Sequence, residues 1–442
     1  MWRSQRLFRK LKLESVVIQR RWMSTVMSFG DGTHGALGLP TTTVGIGTHA
    51  YEPTPIPSLP SDILTVHAGH YHSLATTSQG HLWAWGRNNE AQLGRGLSSR
   101  ETWNEPRRVE GLEHVNVCGA FASGVVSCCV GDDGSVWVWG MSKRGQLGLG
   151  KHVTEAVVPS RVEALSRQNV VKVSFGWGHA LALTVDGKLF GWGYYADGRI
   201  GNMGNDHLES STLDSSSSAF SNNTQITSSD LEVAEKKVLQ GMAEETNMPI
   251  IWEPRLVEEL RGIQVVDIAC GLDHSLVLCR DGALLSSGSN VYGQLGRARE
   301  DLGFFPVDIK FTPVSVAAGL GHSLAICQLD ESDSNVTLGT TDIASWGWNQ
   351  SSQLGRAGPA YLPALIDALA GENPVSVSAG RAHSVALTSK GEMWVWGSGK
   401  NGRLGLSSSV DEDEPFYLDS LEGFQILQVV SGFDHNLVLV AG

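Results

Sequence analysis

Gly69-His70-Tyr71-His72-Ser73-Leu74, continued by Leu82-Trp83-Ala84-Trp85-Gly86-Arg87-Asn88 and closed by Gln92-Leu93-Gly94, comes back along the chain in altered copies. The first half, a Gly three residues before a His and then a small residue, recurs at Gly176–His179, Gly271–His274, Gly319–His322, Gly380–His383 and Gly432–His435. A seventh copy starts at Gly119, with Ala122 in the His position. The second half, an aromatic–Gly pair, recurs at Trp139, Trp192, Trp346 and Trp396, and in degenerate form at Phe29 and Ser287. Self-similarity at a period of roughly fifty residues marks a repeat architecture and excludes a doubly wound enzyme or a helical bundle.

Each period holds four short strand-like runs, such as Ile63–Ala68, His72–Thr77, His81–Trp85 and Arg107–Leu112. Alternation bounded by Gly, Asn and Asp predicts half-buried antiparallel strands. A proline accompanies every fourth run: Pro53, Pro106, Pro159, Pro254, Pro306, Pro363 and Pro415. Proline donates no ladder hydrogen bond, so that run is the outer strand of its sheet. The chain starts with a second half-unit and ends with a first half-unit, Gln425–Val440. Joining the two removes an exposed edge. The expected fold is all-β: a seven-bladed β-propeller of four-stranded antiparallel blades, the last closed by N- and C-terminal strands. The units run at about 62–112, 113–165, 168–260, 263–310, 312–370, 373–421, and 423–442 with 26–59.

The pattern Gly-x-x-His-Ser followed by Trp-Gly-x-Asn and Gly-Gln-Leu-Gly resembles the repeat of the regulator of chromosome condensation family. Gly86-Arg87-Asn88 with Gln92-Leu93-Gly94, and Gly145-Gln146-Leu147-Gly148, are close copies, and the resemblance spans about residues 26–442. It implies the propeller fold and protein contacts made by loops; activity belongs to sites grafted on a fold.

Six cysteines (Cys118, Cys128, Cys129, Cys270, Cys279, Cys327) lack zinc or redox spacing and read as buried, reduced thiols. No apolar run approaches the ~18 residues of a membrane span. Residues 1–25 carry Arg3, Arg6, Arg9, Lys10, Lys12, Arg20 and Arg21 against Glu14, with Leu7, Phe8 and Leu11 on one helical face. An Arg-rich, acid-poor, amphipathic start is the composition of a mitochondrial transit peptide, with processing expected near Arg20–Ser24 and the matrix as destination. The chain's net charge of −13 becomes about −19 once this segment is removed. Direct nucleic-acid binding is disfavoured, because phosphate contacts need clustered Lys and Arg. An acidic body favours basic partners.

The histidines His72, His179, His274, His322, His383 and His435 stand at one repeat position in six different units, too far apart to share a metal. Their recurrence points to a hydrogen-bonding element of the turn after the first strand, and that of Trp85, Trp139, Trp192, Trp346 and Trp396 to packing within or between blades. The plant ultraviolet-B photoreceptor, within the same resemblance, repeats Gly-Trp-Arg-His-Thr. Here the residue after the Gly is His70, Ala120, Trp177, Leu272, Leu320, Arg381 and Phe433, so only Trp177 fits and a photoreceptor is disfavoured. With no Walker loop, nucleophile elbow or zinc-protease motif, neither an enzyme nor a cofactor is expected.

The irregular segments hold the candidate docking sites. Residues 202–252 form an insertion whose Ser-rich first half reads as disordered. Its second half has a capping box at Ser229–Glu232 and an apolar face of Leu231, Ala234, Val238 and Met242. That helix would either dock a partner or cover the propeller rim. A second insertion, Leu329–Thr341, should decorate the opposite face. Phe304 and Phe305 read as two exposed aromatics before an outer strand, a contact patch or simple packing.

The expected function is a non-enzymatic, monomeric interaction scaffold in mitochondria. It would dock a basic RNA-binding or ribosomal protein in support of transcript processing, splicing or ribosome biogenesis, and thereby of respiratory complex I. The family resemblance implies one alternative, guanine-nucleotide exchange on a small GTPase. A third, chromatin or histone binding, suits the acidic body but not the N-terminal segment.

Overall fold

The computed structural model describes residues 23–40, 48–97, 102–202, 249–298, 301–329 and 339–442. The proposed transit peptide through residue 22, and the helix bearing Leu231, Ala234, Val238 and Met242, lie outside the described residues. Seven four-stranded antiparallel sheets form the ring, with no α-helix among the described residues. Blade 1 is built from Ile63–Ala68, His72–Thr77, Leu82–Gly86 and Arg107–Arg108. Blades 2 to 6 follow with strands inside 117–161, 170–256, 265–306, 312–365 and 374–417. Blade 7 joins Ile426–Ser431 and His435–Ala441 to Ser24–Gly30 and Ala50–Pro55. Ser24–Gly30 pairs residue for residue with His435–Ala441, from Ser24 opposite Ala441 to Gly30 opposite His435.

The second strand of each blade departs from the half-buried alternation expected of it. His72–Thr77, Val126–Gly131, His179–Thr184, His274–Cys279 and His383–Thr388 are buried at every residue. A blade has a neighbour on both faces, so its central strands read as continuous apolar or small-residue runs. Outer strands are short or interrupted. Blades 1, 4 and 5 end in two-residue strands, Arg107–Arg108, Phe305–Pro306 and Ala364–Leu365. In blades 2, 3, 6 and 7 the register shifts next to Pro159, Pro254, Pro415 and Pro53. Both devices blunt the exposed edge.

Two glycines of the repeat are fixed by geometry. Gly86 ends the third strand at φ 106°, where a Cβ would lie 2.6 Å from His72 Cα. Gly69 has no positive φ, but a Cβ there would meet His72 Cε1 and the Ser123 carbonyl at 2.5 Å each. The His ring therefore lies flat against its own turn while the next blade closes in.

Strand direction gives the ring two faces. One, the turn face, carries the turns between first and second strands and the loops between third and fourth. The other, the hairpin face, carries the second-to-third hairpins and the connections to the next blade. The long insertion leaves blade 3 beside the Tyr194–Ile250 pair, at the end where His179 faces Gly193. The second leaves blade 5 beyond the Gln328–Thr341 pair, at the end away from His322. Their anchors are thus on opposite faces.

Leu437, fully buried between Ser28 and Val430, packs with Val66, Ala75 and Trp85 of blade 1. Leu437→Ala should lower unfolding free energy by about 2–5 kcal/mol, read from the urea midpoint at unchanged slope.

Candidate functional site

The recurrent His, Ser and Trp lock neighbouring blades together. Between blades 1 and 2, His72 Nε2 lies 2.7 Å from Ser127 Oγ, which donates to the Gln92 carbonyl at 2.7 Å. Trp139 Nε1 donates to that same carbonyl at 2.9 Å. His and carbonyl come from one blade, Ser and Trp from the next. The set repeats as His435, Ser73, Ala36 and Trp85, as His274, Ser323, Gln294 and Trp346, and as His322, Ser384, Gln353 and Trp396. The expected structural role of His therefore reaches farther than its turn: the ring packs on the turn, but its bond crosses to the next blade.

The serine proton is committed to the carbonyl, so the histidine donates through Nε2 and leaves Nδ1 without a proton. The blade 6/7 interface supports this tautomer: His383 Nε2 meets Asn436 Oδ1 at 3.0 Å, an oxygen that can only accept, while Asn436 Nδ2 donates to the Arg403 carbonyl. Burial holds the imidazoles of His72, His274, His322 and His383 down to about 3 and that of His435 to about 4. At neutral pH they are uncharged locks between blades.

Blade 2 corrects the sequence register. Ala122 pairs with Ser127 and Val126 with Gly140, the positions held in blade 1 by Ala68 with Ser73 and His72 with Gly86. Ser123 therefore replaces the repeated Gly, Val126 replaces His in place of the expected Ala122, and Gly124, not Ala120, is the residue after it. Gly119 misled because it falls inside the first strand. The partner of Val126 across the interface is Ala180, where five other blades have Ser and blade 7 has Asn436. Donor and acceptor are lost together, leaving two fully buried apolar groups and no stranded polar atom. Trp192 still donates to the Gln146 carbonyl at 2.8 Å. Blade 4 has Ser287 where Trp is expected, and its hydroxyl donates to the Gly198 carbonyl.

The first strands surround a channel cavity of about 370 Å³, lined among others by His67, Phe121, Lys172, Ser174 and Ser378. Of its lining groups, Lys172 Nζ lies 2.5 Å from Asp267 Oδ1, and Ser174 Oγ and Ser378 Oγ accept from the Cys270 and Ser431 N–H groups. At the turn face the mouth is narrowed by aromatics. The His70 ring stacks on Phe433 at 4.5 Å and on Trp177 at 5.7 Å, and Gly124 leaves room for it, since a Cβ there would meet His70 Nδ1 at 2.8 Å. Backbone bonds run round this mouth: Phe433 to His70, His70 to Ser123, Trp177 to Leu272, Leu272 to Leu320, Leu320 to Gly380 and Arg381 to Phe433. Among the described residues none joins Gly124 to blade 3.

Other expected positions resolve simply. Phe304 is 8% exposed and packs in the cluster of blades 2 to 4, and Phe305 lies half-buried under the Arg297 guanidinium at 5.2 Å. Of the two readings for this pair, packing describes Phe304. Five thiols are buried, and Cys118 is exposed because it is the unpaired residue of the register shift between Val117 and Gly119. No group of three metal-binding side chains occurs among the described residues.

The hairpin face carries a feature that the sequence reading missed. Glu163, Glu258, Asp367 and Asp419 each begin a 3-10 turn whose third residue, Leu165, Leu260, Leu369 or Leu421, is buried. Glu110 stands in the same relation to buried Leu112. The leucine anchors the connection between blades and turns the acid to solvent; all five carboxylates are exposed. The signal was an acid-x-Leu triplet at the end of five units.

The RCC1-like domain family matches residues 25–439, so the chain belongs to that family. The human regulator of chromosome condensation is 26% identical over 446 residues, 97% of this chain and 94% of that protein. The mouse secretion-regulating guanine nucleotide exchange factor is 31% identical over 318 residues, 69% of this chain and 61% of that one. Human E3 ubiquitin-protein ligase HERC2 is 32% identical over 322 residues, and the chain spans only 6% of its length. The crystal structure of Prp20p from Saccharomyces cerevisiae, described with its binding to Gsp1p and histones, superposes at TM-score 0.71 with 23% identity, covering 95% of this chain and 92% of that one.

Ser127→Ala strands His72 and should cost about 1–3 kcal/mol. Adding His72→Val, which recreates the Val126–Ala180 pair, should recover part of that loss in a double-mutant cycle. The unfolded chain protonates these histidines at pH near 6.5, while their folded values lie far lower. Stability should therefore be complete above pH 6.5 and fall as pH drops from 6.5 toward 3. The His72→Val, Ser127→Ala variant should show a shallower fall in acid-titrated urea melts.

Proposed function

We propose that this RCC1-like propeller is a non-catalytic docking platform whose hairpin face holds a basic RNA-binding or ribosomal protein. The supporting observation is the exposed carboxylate repeated at Glu110, Glu163, Glu258, Asp367 and Asp419 in blades 1, 2, 3, 5 and 6, of which Glu258 is paired with Arg261. Like charges set at repeat spacing attract a cationic partner and steer its approach. The basic, acid-poor residues 1–25 support action in the mitochondrial matrix. There the platform would serve transcript processing, splicing or ribosome biogenesis. Respiratory complex I would depend on it, because several of its subunits are commonly encoded in the organelle.

A second reading is favoured by the relatives: the mouse secretion-regulating protein is named as a guanine nucleotide exchange factor. Exchange on a small GTPase requires a loop that displaces nucleotide by contact alone, without a catalytic group. The two readings differ in what the protein captures.

The test recovers the tagged full chain from purified mitochondria. Basic RNA-binding or ribosomal proteins with specific precursor transcripts are expected, and Glu163→Lys with Asp367→Lys and Asp419→Lys should cut their recovery at least tenfold. Enrichment of a nucleotide-free GTPase would establish exchange instead. Absence of the protein from mitochondria would overturn the location and the organellar role together.

A further inference from the structure

The gap in the ring of mouth contacts lies over a cavity of about 320 Å³ on the turn face, between blades 2 and 3. Its walls include Lys143, Arg144 and Gln146 of blade 2 and Trp177 of blade 3. Trp177 is 40% exposed, with His70 stacked on it at 5.7 Å. The Arg144 guanidinium stands 5.8 Å from the Trp177 ring and 5.8 Å from the Tyr194 ring, within cation–π range of both. Gly178 makes room for it, because a Cβ there would meet Arg144 Cδ at 2.9 Å.

Other arginines of this face already hold carboxylates or, as Arg95 and Arg356 do, backbone carbonyls. Arg87 pairs with Glu90, Arg199 with Asp197 and Asp273, and Arg381 and Arg403 both with Asp434. Neither Lys143 nor Arg144 has an ion-pair partner among the described residues. The floor is braced: Ser142 Oγ donates to Gln146 Oε1, and Gln146 Nε2 crosses the seam to the Gly176 carbonyl at 2.9 Å. A fixed cleft with Trp, Tyr and Arg has the composition of an interface hot spot.

The geometry points to this cleft as the docking socket for an acidic segment of a protein partner, its carboxylates meeting Lys143 and Arg144 and an aromatic or apolar side chain lying on Trp177. Charge complementarity selects the occupant: two uncompensated cations meet an anion in a chain whose net charge is −13. A nucleic-acid strand fits less well, since a polyanion would have to run from two cations onto an acidic body. The socket opposes the hairpin-face carboxylates in both position and sign, and does not rest on the reading proposed for that face.

The test uses the full chain and a fluorescein-labelled dodecapeptide of alternating glutamate and tyrosine, with glutamine–tyrosine as the neutral control, in fluorescence anisotropy. The acidic peptide should bind at least tenfold more tightly than the neutral one and weaken as salt rises. Lys143→Glu with Arg144→Glu should lose at least tenfold and Trp177→Ala several-fold, at unchanged thermal midpoint. If the charge-reversed chain unfolds early, Lys143→Ala with Arg144→Ala carries the same expectation. Equal binding of the two peptides, or full binding by the variants, would overturn the proposal. So would tighter, cation-dependent binding of a twelve-nucleotide uridine-rich RNA.

Discussion

A buried carbonyl oxygen shared by two donors, a serine hydroxyl and an indole N–H, organises the ring. In blades 1 and 2 it is the Gln92 carbonyl, reached by Ser127 and Trp139, with His72 completing the chain through the serine. Each bond nets only about 0.5–1.5 kcal/mol, but a buried donor or acceptor left alone costs more. Departures from the set therefore come with compensation. At Val126 and Ala180 the histidine and serine are lost together while Trp192 keeps its bond to the Gln146 carbonyl, Asn436 does the serine's two jobs, and Ser287 donates to Gly198, one residue before the Arg199 carbonyl that Ser275 reaches. The neighbouring glycines follow from the same contact, because the histidine ring occupies the space that a Cβ on Gly69 would need.

The fold was legible in the sequence because these constraints act at fixed spacings. A turn glycine, a histidine three residues later and a Trp-Gly pair cannot drift independently when each touches the same interface. The closing blade was legible too, since the two half-units at the ends could complete only one another. Where the register was misread, chemistry had changed at several positions together. In blade 2 the Gly, the His and the neighbouring blade's Ser are all different, and Gly119 offered a false anchor. Phe304 and Phe305 looked exposed because their short outer strand gave no sign of how the loop before it packs.

The candidate surfaces were less legible for a different reason. An acid two residues before a leucine means nothing in one copy; its significance comes from recurrence and from the buried leucine that turns the acid outward. The socket at Lys143, Arg144 and Trp177 has no linear signature, because its walls belong to two blades and Arg144 fits only where Gly178 lacks a side chain. Both features use the ring as a frame: the hairpin face repeats one charge, whereas the turn face concentrates the opposite charge at the seam where regularity fails.

The pairing of Ser24–Gly30 with His435–Ala441 also sets the order of events in folding. These strands are adjacent in space but lie at opposite ends of the sequence, so the loop they close is nearly the whole chain and its entropic cost falls late. Until the last strand is available, Ser24–Gly30 has an open edge and the Leu437 site on blade 1 is uncovered. A chain threaded into a compartment from its N-terminus would hold that edge open throughout entry. The step most exposed to misassembly is thus the final one, and a chaperone that shields a single strand edge would suffice to protect it.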